Sequence, residues 1–223
     1  MISGIDQNRA HGRAEVLTGA RRRRRGGLRS RSGWRAIGLA LLVALAPPST
    51  AAVSIGGPFE LVDQHGVTRS DEDFRGRFML MYFGFTHCPD TCPTALLKIT
   101  HALEELAELD AAKAERVVPM FISVDPERDT PEALRSYAEN FHPRLVALTG
   151  TRRQLEELGR VYGVFFAKVP TGPPGEYLMD HTGFVYLIGP DGNYLEHFES
   201  DASVDDLLGA LRRHVVAAEL SGS

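Results

Sequence analysis

Cys88 and Cys92 are the only cysteines in the 223-residue chain, and they lie four positions apart. A single pair cannot form the disulfide framework of a small crosslinked protein. Two close thiols in an otherwise cysteine-free sequence indicate a reversible redox pair or a site for a soft metal ion. The pair follows an apolar run and precedes a helical pattern, and a helix N-terminus favours the thiolate that binds metals and attacks disulfides. Residues four apart share one face of a helix, so we expect both sulfurs to point to one place.

Two thiolates form an incomplete metal site, and histidine is a frequent further ligand. Of the eight histidines, His181 stands out because it follows a long loop and directly precedes an apolar strand. Thioredoxin-like domains place at this point the turn that faces their two cysteines. Asp180 could orient the imidazole or simply form the turn. His87 adjoins Cys88 but points to the opposite face if its segment is extended, so we interpret it as a local modulator. The other histidines have the pattern of surface or structural residues.

The secondary structure that must position these residues follows from the hydrophobic pattern, in which short apolar runs predict strands and apolar stripes at helical spacing predict helices. The predicted order is a hairpin around Gly66, a strand over 78–83, a helix after the cysteines, a strand over 117–124, a helix over 131–141 capped by Thr130, a strand over 145–148, a helix over 152–161 capped by Thr151, a loop over 168–176, paired strands over 184–188 and 194–198, and a helix over 201–215. This order predicts an α/β fold in which helices flank a central mixed sheet, with an N-terminal hairpin extension. Residues 53–223 are predicted to form that single domain.

Residues 1–52 differ in composition from the rest of the chain. They hold ten of the 25 Lys and Arg residues and only two of the 29 Asp and Glu residues, and an apolar stretch over 36–46 follows the basic part. This order is typical of an export signal, and the apolar stretch is short for a membrane span. We therefore expect residues 1–52 to be an export signal or a short membrane anchor. The remainder has a net charge of −12, which argues against nucleic-acid binding and favours basic partner surfaces.

From about residue 55 to 215 the chain resembles the Sco (SenC) family of copper-binding proteins. Four segments carry the resemblance: YFGFTHCPDTCP at 82–93, FISVDPERDTP at 121–131, DHT at 180–182 and VYLIGPDG at 185–192. The resemblance implies a thioredoxin-like domain that binds copper through Cys88, Cys92 and His181. It also implies a location on the periplasmic side of a bacterial inner membrane, either soluble or anchored.

The same resemblance implies delivery of copper to the binuclear CuA site of cytochrome c oxidase, or reduction of the cysteines of that site. The partners would be the oxidase subunit that carries CuA, and further copper chaperones or thiol reductases. The segment 125–130 resembles the acidic loop of the family, and we expect Asp125 to shape a docking surface, although the segment could simply connect a strand to a helix.

The donor types agree with copper, because thiolates favour Cu(I) while an added imidazole also suits Cu(II). Structural zinc usually has four protein ligands, and only three are identified here. Two alternatives use the same cysteines. The first is a thiol-disulfide oxidoreductase, which has no need for His181 and commonly has a cis-proline before the corresponding strand. The second is a peroxidase, in which Cys92 would resolve a sulfenic acid on Cys88.

Overall fold

The computed structural model describes residues 55–215. The predicted export segment over 1–52 lies outside the described residues. Within the described range, no helix combines the length and the apolar composition that crossing a bilayer requires.

Nine strands form two separate sheets in the described part of the chain. The strands are β1 (Glu60–Asp63), β2 (Thr68–Ser70), β3 (Phe78–Gly84), β4 (Val117–Ser123), β5 (Val146–Thr149), β6 (Phe166–Pro170), β7 (Tyr177–His181), β8 (Phe184–Ile188) and β9 (Tyr194–Glu199). Seven of them form the central sheet in the order β2-β1-β5-β4-β3-β8-β9, and β6 pairs only with β7. Strands β3, β4 and β5 are parallel, whereas the remaining pairs are antiparallel. The mixed sheet and the N-terminal hairpin β1–β2 are as predicted.

Five α-helices accompany the central sheet within residues 55–215. They are α1 (Thr91–Leu109), α2 (Ala111–Glu115), α3 (Pro131–Ala138), α4 (Arg152–Tyr162) and α5 (Val204–His214). The predicted caps are confirmed, because the side chains of Thr130 and Thr151 accept the amide hydrogens of Ala133 and Gln154. Each cap satisfies a donor that has no partner within its own helix, and this defines where the helix begins.

The core is centred on β3 and β4, in which every residue is buried. Both strands lie in the middle of the sheet, where both faces are covered, which explains their unbroken apolar sequence. Helix α1 turns Leu96, Ile99 and Leu103 inward, and each is almost completely buried. Helices α1 and α5 pack against each other. The apolar stripe of α1 thus anchors the helix that carries Cys92.

The predicted loop over 168–176 is wrong in part. Lys168–Pro170 belong to β6, which pairs in antiparallel register with β7, so that Phe166 lies opposite His181. The prolines and glycines between the strands resemble a loop, and the exposed residues of β6 lack the apolar alternation that signals a strand. The pairing partner, rather than local preference, makes this segment a strand.

Candidate metal and redox centre

The cysteines lie where β3 passes into α1, as predicted, but they do not share a helix face. Helix α1 begins at Thr91, so Cys92 lies in its first turn whereas Cys88 lies in the preceding turn. The Cys88 amide donates to the Phe85 carbonyl, and the Cys88 sulfur accepts the Cys92 amide hydrogen at 3.4 Å. Cys88 therefore takes the place of a capping side chain and satisfies one free donor of the helix N-terminus. The turn, and not the helical period, brings the two sulfurs together.

Cys92 is completely buried, and its sulfur lies beside Gly84. A Cβ atom added at Gly84 would lie 2.9 Å from the Cys92 sulfur and 2.8 Å from the Phe121 ring. Only glycine leaves this space, which is a steric reason for its position at the end of β3. The Tyr82 hydroxyl lies 3.8 Å from the Cys92 sulfur on another side and can donate a weak hydrogen bond.

The two thiols differ in acidity. Hydrogen bonding from the Cys92 thiol, and then from the Asp90 and Cys92 amides, lowers the pKa of Cys88 to about 5, and the nearby His181 acts in the same direction. The pKa of Cys92 is raised because its thiol hydrogen bonds to the Cys88 sulfur and because burial disfavours a second thiolate. Cys88 is half-buried and unbridged, so the more acidic sulfur is also the more accessible one. This combination is typical of an attacking thiol beside a resolving thiol.

His181 ends β7 and reaches the cysteines from the far side. Its Nε2 atom lies 3.6 Å from the Cys92 sulfur, while Nδ1 lies 3.1 Å from the Thr182 carbonyl oxygen. A carbonyl oxygen only accepts, so this contact assigns the hydrogen to Nδ1 and leaves the Nε2 lone pair facing the sulfur. The rings of Phe85 and Tyr82 meet the imidazole edge to face. The ring is therefore held in the orientation that a metal ligand needs.

The other predicted residues are placed differently. Asp180 is exposed and lies on the opposite side of β7 from His181. It does not orient the imidazole, because Nδ1 of His181 donates its hydrogen to the Thr182 carbonyl oxygen. His87 is half-exposed, with Nδ1 beside the Thr86 hydroxyl. Asp125 was expected on a docking surface, but its side chain is fully buried. The reason is an ion pair with Arg128, which compensates for the loss of hydration.

One functional candidate was missed by the sequence analysis. Asp129 is completely buried and accepts hydrogen bonds from the Thr86 amide at 3.1 Å, the Thr86 hydroxyl at 2.6 Å and the Ser123 hydroxyl at 2.6 Å. Burial raises its pKa against the opposing effect of these bonds. Asp129 thus attaches the turn before Cys88 to the end of β4. Its position in the second of the four family-like segments was a signal, but nothing local distinguished it from the other acidic residues there.

The donor set fits a soft metal ion. With metal–sulfur and metal–nitrogen distances of about 2.3 and 2.0 Å, two donors at a near-tetrahedral angle lie roughly 3.5 Å apart. The observed 3.6 Å between Cys92 and His181 agrees with this separation. Within residues 55–215 no three ligand-type side chains already converge as a complete group. The arrangement therefore presents two donors at ligand spacing, with the Cys88 sulfur beside them.

Known proteins resemble this chain in sequence. A family model described as SCO1/SenC matches residues 47–216. The mitochondrial SCO1 homolog of Homo sapiens is 40% identical over 161 residues, which cover 72% of this chain and 53% of the human protein. The chain thus spans about half the length of that relative.

Solved structures show the same similarity. The structure of Bradyrhizobium japonicum ScoI with copper bound has a TM-score of 0.65 and 39% identity, and the match covers 72% of this chain and 99% of that one. A structure of BsSco, described as a member of the Sco family of cytochrome c oxidase assembly proteins with a disulfide switch, has a TM-score of 0.58 and 27% identity, covering 73% and 94%. The site, the thioredoxin-like fold and the family match lead to one conclusion: the chain belongs to the SCO1/SenC family.

Proposed function

We propose that this protein is a copper metallochaperone that binds copper through Cys88, Cys92 and His181. The observation that carries the proposal is the 3.6 Å separation of the Cys92 sulfur and the His181 Nε2 atom, which brings together donors from α1 and β7. Two thiolates and one imidazole suit both Cu(I) and Cu(II). Copper is the cargo, and the function of the fold is to hold it and release it.

The proposed recipient is the CuA site of cytochrome c oxidase. Support comes from the family, because BsSco belongs to a group described as cytochrome c oxidase assembly proteins and the Bradyrhizobium protein was solved with copper bound. The oxidase subunit that carries CuA is therefore the proposed partner. Export of the chain by residues 1–52, to the periplasmic side of a bacterial inner membrane, is part of the same proposal and rests on the composition of that segment.

Cys88, Cys92 and His181 each contribute differently to copper binding. Cys88 already favours the thiolate, so its proton is largely lost before copper arrives. Cys92 keeps its proton and must release it on binding, which makes copper affinity increase with pH. His181 directs Nε2 toward the Cys92 sulfur, while Nδ1 faces the Thr182 carbonyl oxygen. The partial exposure of Cys88 provides a route by which a second protein could reach the metal.

The test is an anaerobic titration of the reduced full chain with Cu(I) and with Cu(II), followed by absorption and X-ray absorption spectroscopy. We expect one equivalent to bind through two sulfur atoms and one nitrogen atom, with the nitrogen signal lost in His181→Ala. Absence of stoichiometric binding, or a nitrogen signal that survives this substitution, would contradict the proposal.

A thiol-disulfide oxidoreductase is the second candidate, favoured by the unequal acidity of the thiols. The Cys88 thiolate would attack a disulfide of a partner and release one partner thiol, and Cys92 would then displace the second. Two electrons pass to the partner, and Cys88 and Cys92 are left as a disulfide that an external dithiol must reduce. Catalytic turnover with a disulfide substrate, undiminished in His181→Ala, would favour this function over copper transfer.

A further inference from the structure

The strand that presents His181 does not belong to the central sheet. Strand β7 is bonded only to β6, and together they form a two-stranded sheet of their own. An isolated two-stranded hairpin is at best marginally stable in water. The position of His181 relative to Cys92 must therefore depend on contacts between this hairpin and the rest of the domain.

Alternate residues of β7 face inward. Tyr177, Met179 and His181 are less exposed than Leu178 and Asp180, which face solvent. Because side chains alternate along a strand, the inward three lie on one face. Met179 packs in the core with 5% of its surface exposed, so it provides one attachment. Tyr177, four residues before His181, provides a second attachment of a different chemical kind.

Arg128, in the connection between β4 and α3, holds Tyr177 in several ways at once. Its Nη1 atom donates to the Tyr177 carbonyl oxygen at 2.9 Å, and its guanidinium carbon lies 3.7 Å from the centre of the Tyr177 ring. Its Nε atom pairs with Asp125, which also accepts a hydrogen bond from the Tyr177 hydroxyl at 2.9 Å. The three side chains form a closed set of contacts between the β4–α3 connection and the hairpin.

The shape of the guanidinium suits this arrangement. A planar, delocalised cation can stack on an aromatic ring while donating within its plane, and a lysine ammonium cannot do both. The contacts of the guanidinium with Tyr177 and Asp125 therefore fix where β7 lies relative to the β4–α3 connection.

Glu127, next to Arg128 in the chain, also connects to the hairpin, but through ion pairs that are more exposed to solvent. Glu127 pairs with Lys168 on β6 and with Arg152 at the start of α4. The Glu127 side chain is 54% exposed. Exposed ion pairs contribute little because solvent screens them. Arg152 is thus a matched control for Arg128, since it carries the same charge and pairs with the same segment without contacting β7.

We propose that Arg128 is a positioning residue for His181, which it acts on through Tyr177 by attaching β7 to the β4–α3 connection. This inference rests on the proposed function, since it takes His181 as a copper ligand. The Arg128 guanidinium also lies 5.9 Å from the centre of the Phe85 ring, which packs edge to face on the imidazole, so this contact acts on His181 in the same way. Loss of its contacts frees the strand and lets the imidazole move away from Cys92.

The experiment is a double-mutant cycle on the full, reduced chain. Copper affinity is measured for wild type, Arg128→Lys, His181→Ala and the double variant, with Tyr177→Phe as a milder second probe and Arg152→Lys as control. Without copper, NMR of the imidazole nitrogens reports directly on the setting of His181. The rate at which Cys88 is alkylated reports on the cysteine turn.

We expect Arg128→Lys to weaken copper binding by roughly 10- to 100-fold, the usual effect of removing an outer partner of a metal ligand. In the His181→Ala background the same change should alter affinity by less than about twofold, the limit for independent sites. Tyr177→Phe should weaken binding less and lose its effect in the same background. The imidazole signals should shift or broaden in Arg128→Lys and Tyr177→Phe but not in Arg152→Lys, while Cys88 alkylation stays unchanged.

The possible outcomes distinguish the positioning role of Arg128 from copper binding through His181. An equal loss of affinity with and without His181 would show a general structural effect and overturn the positioning role. Unchanged affinity and unchanged imidazole signals in Arg128→Lys, when His181→Ala does weaken binding, would overturn the positioning role and leave the copper proposal standing. No effect of His181→Ala on copper binding would overturn both.

Discussion

The Cys92 sulfur lies 3.6 Å from the Nε2 atom of His181, although 89 positions separate the two residues in the chain. One belongs to the first turn of α1, and the other ends a strand outside the central sheet. Their proximity turns a pair of thiols into a mixed sulfur and nitrogen site.

Replacing His181 should separate metal binding from thiol chemistry. In His181→Ala the imidazole donor is lost, so copper affinity should fall by more than the roughly 10- to 100-fold typical of an outer partner. The Cys88–Cys92 disulfide should still form on oxidation, because the turn before α1 holds both sulfurs without the histidine. A copper titration measures the affinity, and an assay of free thiols measures whether the disulfide forms. His87→Ala is the control, and we expect it to bind copper like wild type.

The acidity of Cys88 predicts the pH dependence of its reactivity. Since the folded pKa is lowered to about 5, the thiolate should be present throughout the neutral range and be lost as pH falls through that value. The rate of alkylation by iodoacetamide should therefore be nearly constant above pH 6 and fall below it. In Cys92→Ala the main hydrogen bond to the Cys88 sulfur is absent, so the midpoint should move to higher pH. Equal midpoints in the two proteins would show that Cys92 does not set the acidity of Cys88.

A side chain at position 84 should destabilise the protein. In Gly84→Ala the added methyl group would meet the Cys92 sulfur at 2.9 Å and the Phe121 ring at 2.8 Å. Such overpacking of a core costs about 1–3 kcal/mol, and displacement of Cys92 should also weaken copper binding. Gly209 in α5 is the matched control, because only the Arg213 side chain lies near its added Cβ. Gly209→Ala should raise the free energy of unfolding by about 0.5–1 kcal/mol, as measured with urea.

Asp129 should stabilise the turn before Cys88. In Asp129→Ala the Thr86 amide, the Thr86 hydroxyl and the Ser123 hydroxyl lose their acceptor in a buried site. Unsatisfied buried donors cost about 1–3 kcal/mol, so the free energy of unfolding should fall by that order. Urea denaturation of the reduced protein measures it. The exposed Glu105→Ala should change stability by no more than about 0.5 kcal/mol. A similar loss in both variants would show that Asp129 has no special structural role.

Much of this architecture can be predicted from the sequence because its signals are local. The unbroken apolar run of β3 indicates a strand buried on both faces, and the hydroxyls of Thr130 and Thr151 mark the points where helices begin. The candidates Cys88, Cys92 and His181 are identifiable from residue chemistry and from order along the chain. Such features depend on a few neighbouring residues and on periods that a linear sequence displays directly.

The tertiary structure decided how those candidates meet. Strand β6 looks like a loop until β7 pairs with it, and Asp125 looks like a surface carboxylate until Arg128 and Tyr177 enclose it. Cys88 lies before the helix and not on its face, so its acidity comes from the turn and from the Cys92 thiol. The physical reason is common to all three. Hydrogen bonds, burial and ion pairing depend on which distant segments come into contact, and the local residue pattern does not contain that information.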